Sequence, residues 1–429
     1  MKRLFTLLAV LLLQVTSAHA QLTLDRVARD KYIVNGINYA YTPGNTVDTP
    51  APRGYKPFYI SHIGRHGSRF DLGEGRAFSQ TVQVLSEAQE KGLLTPDGEA
   101  MLREATLMKE RADGMYEMLT QRGCREHQGI SRRLQERFPK VFSSRTRNEV
   151  DAVSSTVQRC IISMSNFLLE IGRKHPSLKI TMDTGDKYMR YLIHWDSKNR
   201  ARQTTVDPDS RAWLQEHFSP ERLCAAIFTD PEAAAGLCDP LRFVQGLFRV
   251  LTFTQTMEME AETDLYRFFT DEELFALAAD QSDRFFAQNG PSLLYADSTA
   301  LQGIRLLRDV VEKADAALAP GSARAADLRF THDTAILPFA TLLGFDGMDV
   351  RLPQTTAHES WYLADWIPMG ANLQLVFYRK KAQDDILVKL LFNEQERTFS
   401  ALQAVQGPYY RWSDLRDYFC ALLPKGPER

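Results

Sequence analysis

The chain of 429 residues has only five cysteines, and no two of them form a CxxC pair. It has no excess of charge of either sign and, beyond residue 20, no apolar run long enough to span a bilayer. Each shortage excludes something. Without CxxC spacing, a structural zinc site has no signature. With 52 Lys+Arg against 54 Asp+Glu, net −2, the chain lacks the basic excess or basic stripe of a nucleic-acid binder. Any anionic ligand must therefore be held by a local cluster of cations. There is no internal repeat or low-complexity segment, and the composition is neither disordered nor collagen-like. Apolar residues are plentiful: 44% hydrophobic and 10% aromatic residues are enough for a large core. The length suits two or three domains, or one α/β core carrying an inserted cap.

The N-terminus reads as a secretory leader. Lys2 and Arg3 form a positive start, Leu4 to Val15 is almost wholly apolar, and Ala18-His19-Ala20 places small residues two positions apart before Gln21. A spanning helix needs about 20 apolar residues, more than this run offers. Cleavage after Ala20 is the expectation, giving an exported, soluble protein with no membrane anchor. No cysteine follows the cleavage point to accept a lipid. Of the five cysteines, Cys224 and Cys238 share a short loop-rich segment and are the preferred disulfide pair. Cys160, in an apolar helical run, reads as a buried inert thiol.

The pattern along the chain is that of a mixed, mostly parallel α/β sheet flanked by helices, with a helical cap inserted over residues 187–320. The core is then assembled from residues 21–186 and 321–429. Phe58 to Ile63 reads as a strand ending in Arg65-His66-Gly67-Ser68-Arg69. Helices are expected from Phe78 to Gln89, from about Asp97 towards Leu119 with Thr95-Pro96 at its start, and from Ser131 to Phe138. Asp151 to Thr156 leads into a helical pattern that begins near Arg159. Leu328 to Thr331 is a short strand ending in His332-Asp333-Thr334, followed by an apolar helix that stops at Gly344. Ala371 to Tyr378 and Ile386 to Phe392 read as a strand pair joined by a polar turn over 380–385.

Two segments more than 250 residues apart thus share one grammar, a strand followed by a tight polar cluster containing histidine. The first cluster puts His66 between Arg65 and Arg69, two planar forks suited to phosphate oxygens. The second sets His332 beside Asp333. If both strands belong to one parallel sheet, their carboxyl ends bring the clusters into a single crevice.

Arg65-His66-Gly67-Ser68-Arg69 resembles the RHGxR signature of the histidine phosphatase superfamily, and His332-Asp333-Thr334 resembles the HD motif of its acid-phosphatase and phytase branch. The segment Ser154 to Cys160 is similar to the place where that family sets a further phosphate-binding arginine, here Arg159. Gly92 to Gly98 resembles its LTxxG helix opening. The likeness runs from about Lys56 to Phe392 and implies a phosphoglycerate-mutase-like core. It further implies that His66 is a nucleophile forming a phosphohistidine and that Asp333 is the proton donor. Arg65, Arg69, Arg159 and His332 would hold the phosphate oxygens. No metal and no cofactor are implied, and the partner is a small-molecule phosphate ester.

The chain departs from the pattern at Phe70-Asp71, because many members carry proline two positions after the RHGxR arginine. A turn role for Asp71 is the simpler expectation. Asp333 fits the ordinary acid-phosphatase pattern, whereas Phe70 and Arg159-Cys160 are similar to the inositol-polyphosphate phosphatase branch, so phytate and related inositol polyphosphates are plausible substrates. In the cap, Lys187, Arg190, Lys198, Arg200 and Arg202 cluster within sixteen positions and suit either a polyphosphorylated substrate or a solvated basic face.

Three other readings are distinguishable. A metal hydrolase using His62 and His66 would need a helix, which Gly64, Gly67 and the strand pattern oppose. A phosphoglycerate-mutase-like phosphotransferase would share the nucleophile, but export removes it from cytoplasmic metabolites. A non-catalytic phospho-ligand binding module would keep the arginines without needing both His66 and Asp333. Among the remaining histidines, His358, beside Glu359, is the one to follow into the structure. A periplasmic or secreted location follows from the leader.

Overall fold

The computed structural model describes residues 21–44, 46–193, 197–380 and 385–424. The leader, the turn over 381–384 and the side chains of Lys198, Arg200 and Arg202 lie outside the described residues. An eight-stranded mixed sheet forms the centre. Its strands are β1 (Lys56–Arg65), β2 (Glu149–Ser154), β3 (Lys179–Thr184), β4 (Arg324–Thr331), β5 (Asn372–Arg379), β6 (Ile386–Phe392), β7 (Gln395–Arg397) and β8 (Tyr409–Arg411). The order is β3-β2-β4-β1-β5-β6-β7, with β8 also on β6. The half from β3 to β1 is parallel, and the half from β5 onward is antiparallel.

Strands β5 and β6 are largely apolar because both faces of the sheet are covered, while β4 carries buried Asp327 and Arg329, which bind Tyr59 and Asp309 respectively. Helices Gln121–Arg137 and Gln158–Lys174 cover one face around Ile60, Phe167 and Phe330. Helices Ile304–Leu318, Asp333–Leu343 and Trp412–Leu422 cover the other around Ile63, Leu307 and Leu375. Register places Arg65 opposite Thr331, so β1 and β4 end at the same level and the residues that follow them emerge side by side.

The helical layer draws on two stretches of sequence. Helices Arg76–Glu90 and Pro96–Ala112 share one apolar cluster with Glu221–Ile227, Pro240–Leu251 and Asp271–Asn289. Helix Ile304–Leu318, within the span expected to be cap, instead packs its apolar face on the sheet. Thr95 caps its helix as expected, accepting from the Gly98 amide at 3.1 Å. That helix stops at Ala112 rather than running towards Leu119, because Gly114 turns the chain with φ of 76°. The helix expected from Ser131 begins ten residues earlier, where Thr120 supplies an N-cap to the Gly123 amide.

Cys224 and Cys238 are both free thiols, so the expected disulfide is absent. Each packs as a small apolar group against the helical-layer core, and burial, with a smaller contribution from the nearby Cys238, pushes the Cys224 thiol up to about 11. His358 is a buried structural residue. Its ring and backbone amide both meet the Asp283 carboxylate at 2.7 Å, which ties the 357–359 turn to helix Asp271–Asn289. Among the described residues, no helix is long and apolar enough to cross a membrane.

Candidate active site

The site is built at the ends of β1 and β4. The His66 amide donates to the Thr331 carbonyl at 2.9 Å, and the His66 carbonyl accepts from the Gly370 amide at 2.9 Å. The rings of His66 and His332 lie 5.4 Å apart edge to face. A cavity of about 340 Å³ opens here, within the range of small-molecule sites (roughly 300–1,000 Å³), and His66, Arg69, Arg159, His332 and Asp333 line it. Five of the six residues expected from sequence therefore meet in one crevice. The sixth, Arg65, lies fully buried directly before them.

The loop carrying His66 is fixed by backbone approach. A Cβ on Gly67 would come within 2.6 Å of the Gly123 carbonyl oxygen, and a Cβ on Gly123 would meet the Ser68 carbonyl. The two glycines let the first turn of helix Gln121–Arg137 sit against the loop. Thr120 then donates its backbone amide (2.9 Å) and its hydroxyl (3.0 Å) to the Ser68 carbonyl. Glu126, from the same helix, accepts from the Ser68 amide at 2.6 Å, the Ser68 hydroxyl at 2.7 Å and the Tyr41 amide at 3.0 Å. Burial pushes the Glu126 carboxyl up, and these donors offset part of that. Glu126 was not among the expected site residues, since one glutamate in a polar helix has no signal at the level of sequence.

The chemistry of each ring follows from its neighbours. His66 Nδ1 faces the Gly67 carbonyl at 2.9 Å. A carbonyl only accepts, so Nδ1 carries the proton and Nε2 keeps the lone pair. Burial, then Arg65 and Arg159, hold His66 well below the ordinary imidazole pKa, so the ring is neutral. His332 is pushed down to about 3 by burial and then by Arg159, and it hydrogen-bonds the Ser155 hydroxyl at 3.1 Å. Cys160 is fully buried with its thiol pushed up to about 12, as an inert thiol should be. It lies 3.4 Å from His332 Nε2 and is hydrogen-bonded to the Thr331 carbonyl, so it packs the back of the site.

Arg65 donates to the carbonyls of Ile37 (2.8 Å) and Ile367 (2.7 Å) and to Asp333 Oδ2 (2.6 Å). Arg69 stacks over Phe253 at 5.8 Å and is pushed down to about 9 by burial and by Arg65 and Arg159. Arg159, at the start of helix Gln158–Lys174, reaches the Glu117 carbonyl and carboxylate at 3.4 and 3.7 Å. The Nε atoms of Arg65, Arg69 and Arg159 are all buried with no hydrogen-bond partner. Arg69 and Arg159, which line the cavity with unspent donors, make an anion site, whereas Arg65, expected to hold phosphate as well, lies behind the cavity wall with its guanidinium bound to Asp333 and two carbonyls. Asp333 accepts from the Thr334 amide at 2.7 Å; burial favours its protonated form, but Arg65 and Arg69 outweigh burial and hold its carboxyl below the usual value.

Residues 245–393, which include His332 and Asp333, match the sequence model of the histidine phosphatase superfamily (branch 2). Over that stretch the chain is similar to branch 2 of the histidine phosphatases. The RHGSR loop and Arg159 lie outside the matched stretch, and the parallel pairing of β1, β4 and β2 brings them to it. The chain is 22% identical to multiple inositol polyphosphate phosphatase 1 of Gallus gallus over 396 residues, 87% of this chain and 83% of that one. Its fold is similar to that of the Bifidobacterium longum multiple inositol polyphosphate phosphatase in complex with inositol hexasulfate, with TM-score 0.72 and 19% identity over 90% and 97% of the two chains. It is also similar to the phytase from D. castellii, with TM-score 0.68 and 16% identity over 91% and 85%.

Around this site, the described members of the basic run fit a solvated face, and the expectation for Asp71 is corrected. The basic cluster does not reach the cavity through its described members. Lys187 pairs with Asp183 at the surface, and Arg190 lines a separate cavity with Arg305 and Arg308. Arg249 and Arg284, from the helical layer, face the active site instead. Asp71 is more than a turn residue, because its buried carboxylate binds Arg249. His62, the partner in the metal reading, sits on β1 packed against the rings of Phe167 and Phe330 at 4.9 and 5.8 Å, away from any helical pairing with His66.

Proposed function

We propose that the chain hydrolyses phosphomonoesters through a phosphohistidine on His66, and that its substrates are inositol polyphosphates. The observation that carries the reaction is a neutral His66 whose free lone pair lies in a cavity shared with Arg69, Arg159 and Asp333. Nε2 attacks phosphorus, the P–N bond forms, and the bond to the ester oxygen breaks. Arg69, Arg159 and His332 hold the non-bridging oxygens, where a loose transition state carries its charge. The leaving oxygen takes a proton from Asp333, and in the second step Asp333 accepts a proton from the water that attacks the phosphohistidine.

Asp333 is ionised in the free site, so it must gain its proton with the substrate. A bound phosphate offsets the field of Arg65 and Arg69 that holds the carboxyl down. A phosphate monoanion can also bring that proton with it, which favours turnover at acidic pH.

The inositol polyphosphate assignment is supported by the likeness to phosphatases and phytases of that class and by further arginines at the cavity wall. Phosphate release from inositol hexakisphosphate and from an aryl phosphate, with chelator present, tests it. A higher kcat/KM for the hexakisphosphate is expected, and a marked preference for the aryl ester would overturn the substrate assignment. A strong requirement for a phosphate acceptor would favour the phosphotransferase. We further propose export with cleavage after Ala20, supported by the leader composition. The intact mass of exported protein should correspond to a chain beginning at Gln21.

A further inference from the structure

We propose that Arg249 forms a second anion subsite of this cavity, holding a phosphate other than the one presented to His66, and that Asp71 is the positioning residue that aims it. The inference rests on the polyphosphate reading above. Asp71 follows Arg69 by two positions, so its place is fixed by the same loop that carries the nucleophile. Its carboxylate is 1% exposed, and a carboxylate that deeply buried needs a partner. Arg249 supplies it from helix Pro240–Leu251 in the helical layer. Its Nη2 donates to Oδ1 at 2.6 Å, and its Nε lies 3.2 Å from both carboxylate oxygens. The Asp71 end is itself held, since Oδ1 also accepts from the Leu72 amide at 2.7 Å and the Asp71 carbonyl from the Glu117 amide at 2.8 Å.

One edge of the Arg249 guanidinium is therefore occupied, while Nη1 has no hydrogen bond to any described residue. The side chain is 46% exposed and lines the cavity that His66 lines. A long arginine at a pocket mouth would ordinarily sample many rotamers and lose that freedom on binding. Fixing the guanidinium to a buried carboxylate removes most of that cost before the ligand arrives. The Asp71–Arg249 pair is neutral overall, so it adds directed N–H donors rather than bulk attraction. That combination recognises an oxyanion at one place on the substrate, distinct from the phosphate served by Arg69 and Arg159. The end of the helix is tied to the cavity as well. The Thr252 hydroxyl donates to the Arg249 carbonyl at 2.7 Å and accepts from the side-chain amide of Asn38, another cavity residue, at 3.1 Å.

The test is steady-state kinetics of wild type, Asp71→Asn, Arg249→Gln and the double variant on inositol hexakisphosphate and on p-nitrophenyl phosphate. The Asp71→Asn side chain keeps a carbonyl oxygen as acceptor for the Leu72 amide, and urea midpoints check that each variant is folded. Should Asp71→Asn fail to fold, Arg249→Gln carries the test of the subsite. In each single variant, kcat/KM should fall about ten-fold more on the hexakisphosphate than on the aryl ester, mostly through KM. The double variant should lose no more than Arg249→Gln alone, because Asp71 acts through Arg249. Equal losses on both substrates, no loss, or additive losses would overturn the proposal. Inhibition of aryl phosphate hydrolysis by inositol hexasulfate gives an independent arm, with Ki rising in the same variants. A wild type that neither hydrolyses the hexakisphosphate nor is inhibited by the hexasulfate would sink the polyphosphate reading. A wild type that does both, with variants that keep its substrate ratio and Ki, would sink the subsite alone.

Discussion

The amide of His66 donates to the carbonyl of Thr331 at 2.9 Å, which locks the two histidine-bearing clusters together across a parallel strand pair. His66 and His332 are 266 positions apart, and neither cluster holds the nucleophile, the arginines and the acid by itself. Their meeting depends on the equal ends of β1 and β4 and on the close seating of helix Gln121–Arg137 against the loop.

That seating gives the first prediction. Gly67→Ala or Gly123→Ala places a methyl against backbone oxygen, where no side chain can move aside. Each should destabilise the protein by about 2 kcal/mol or more and depress kcat. Urea denaturation together with activity checks this, and a fully active Gly123→Ala of unchanged midpoint would contradict it.

Glu126 should behave as a support of the loop. Glu126→Ala leaves the Ser68 amide and hydroxyl and the Tyr41 amide without their acceptor. A loss of about 3 kcal/mol is expected, with Glu126→Gln recovering part of both stability and kcat. Equal damage from the two variants would argue against a hydrogen-bonding role.

How much of this was legible in the sequence depends on distance along the chain. The strand preceding His66, the HDT strand and its helix, and the Gly344 stop were readable because each is a local pattern of period, cap and turn. Cys160 was readable as buried for the same reason. Glu126 and the Asp71–Arg249 pair were not, since the latter joins residues 178 positions apart through a carboxylate that looks like any turn residue. The basic run near Lys187 left two readings open, because charge spacing does not say which wall of the fold it faces. The Cys224–Cys238 pairing failed because proximity in sequence and space does not distinguish a bridge from two packed thiols.

The electrostatics of His66 set the acid side of the pH profile. Its pKa is held well below 6.5 by burial and by Arg65, so the lone pair survives in mild acid. With an aryl phosphate, kcat/KM should not fall between about pH 6.5, the ordinary imidazole value, and about pH 5. A loss with its midpoint at the ordinary imidazole pKa would contradict the neutral, buried nucleophile.

The Arg65–Asp333 pair makes a stability prediction with a definite sign. The carboxyl of Asp333 is lowered in the folded protein, so its contribution is present above the unfolded carboxylate value of about 3.9 and is lost as pH falls through the lowered one. Asp333→Asn should cost about 3 kcal/mol at neutral pH, with urea midpoints converging on wild type below about pH 4. A gap that widens on acidification would contradict the pairing.

The central claim is covalent catalysis by His66, and trapping the intermediate tests it most directly. Protein mixed rapidly with an aryl phosphate in the presence of chelator is quenched in alkali, which preserves phosphohistidine, and the peptide containing His66 is examined by mass spectrometry. A phosphoryl group on His66 is predicted in wild type, absent in a folded His66→Ala variant whose phosphate release falls by at least about a thousand-fold. Phosphate release that persists in His66→Ala, or turnover in wild type with no phosphohistidine formed, would contradict it.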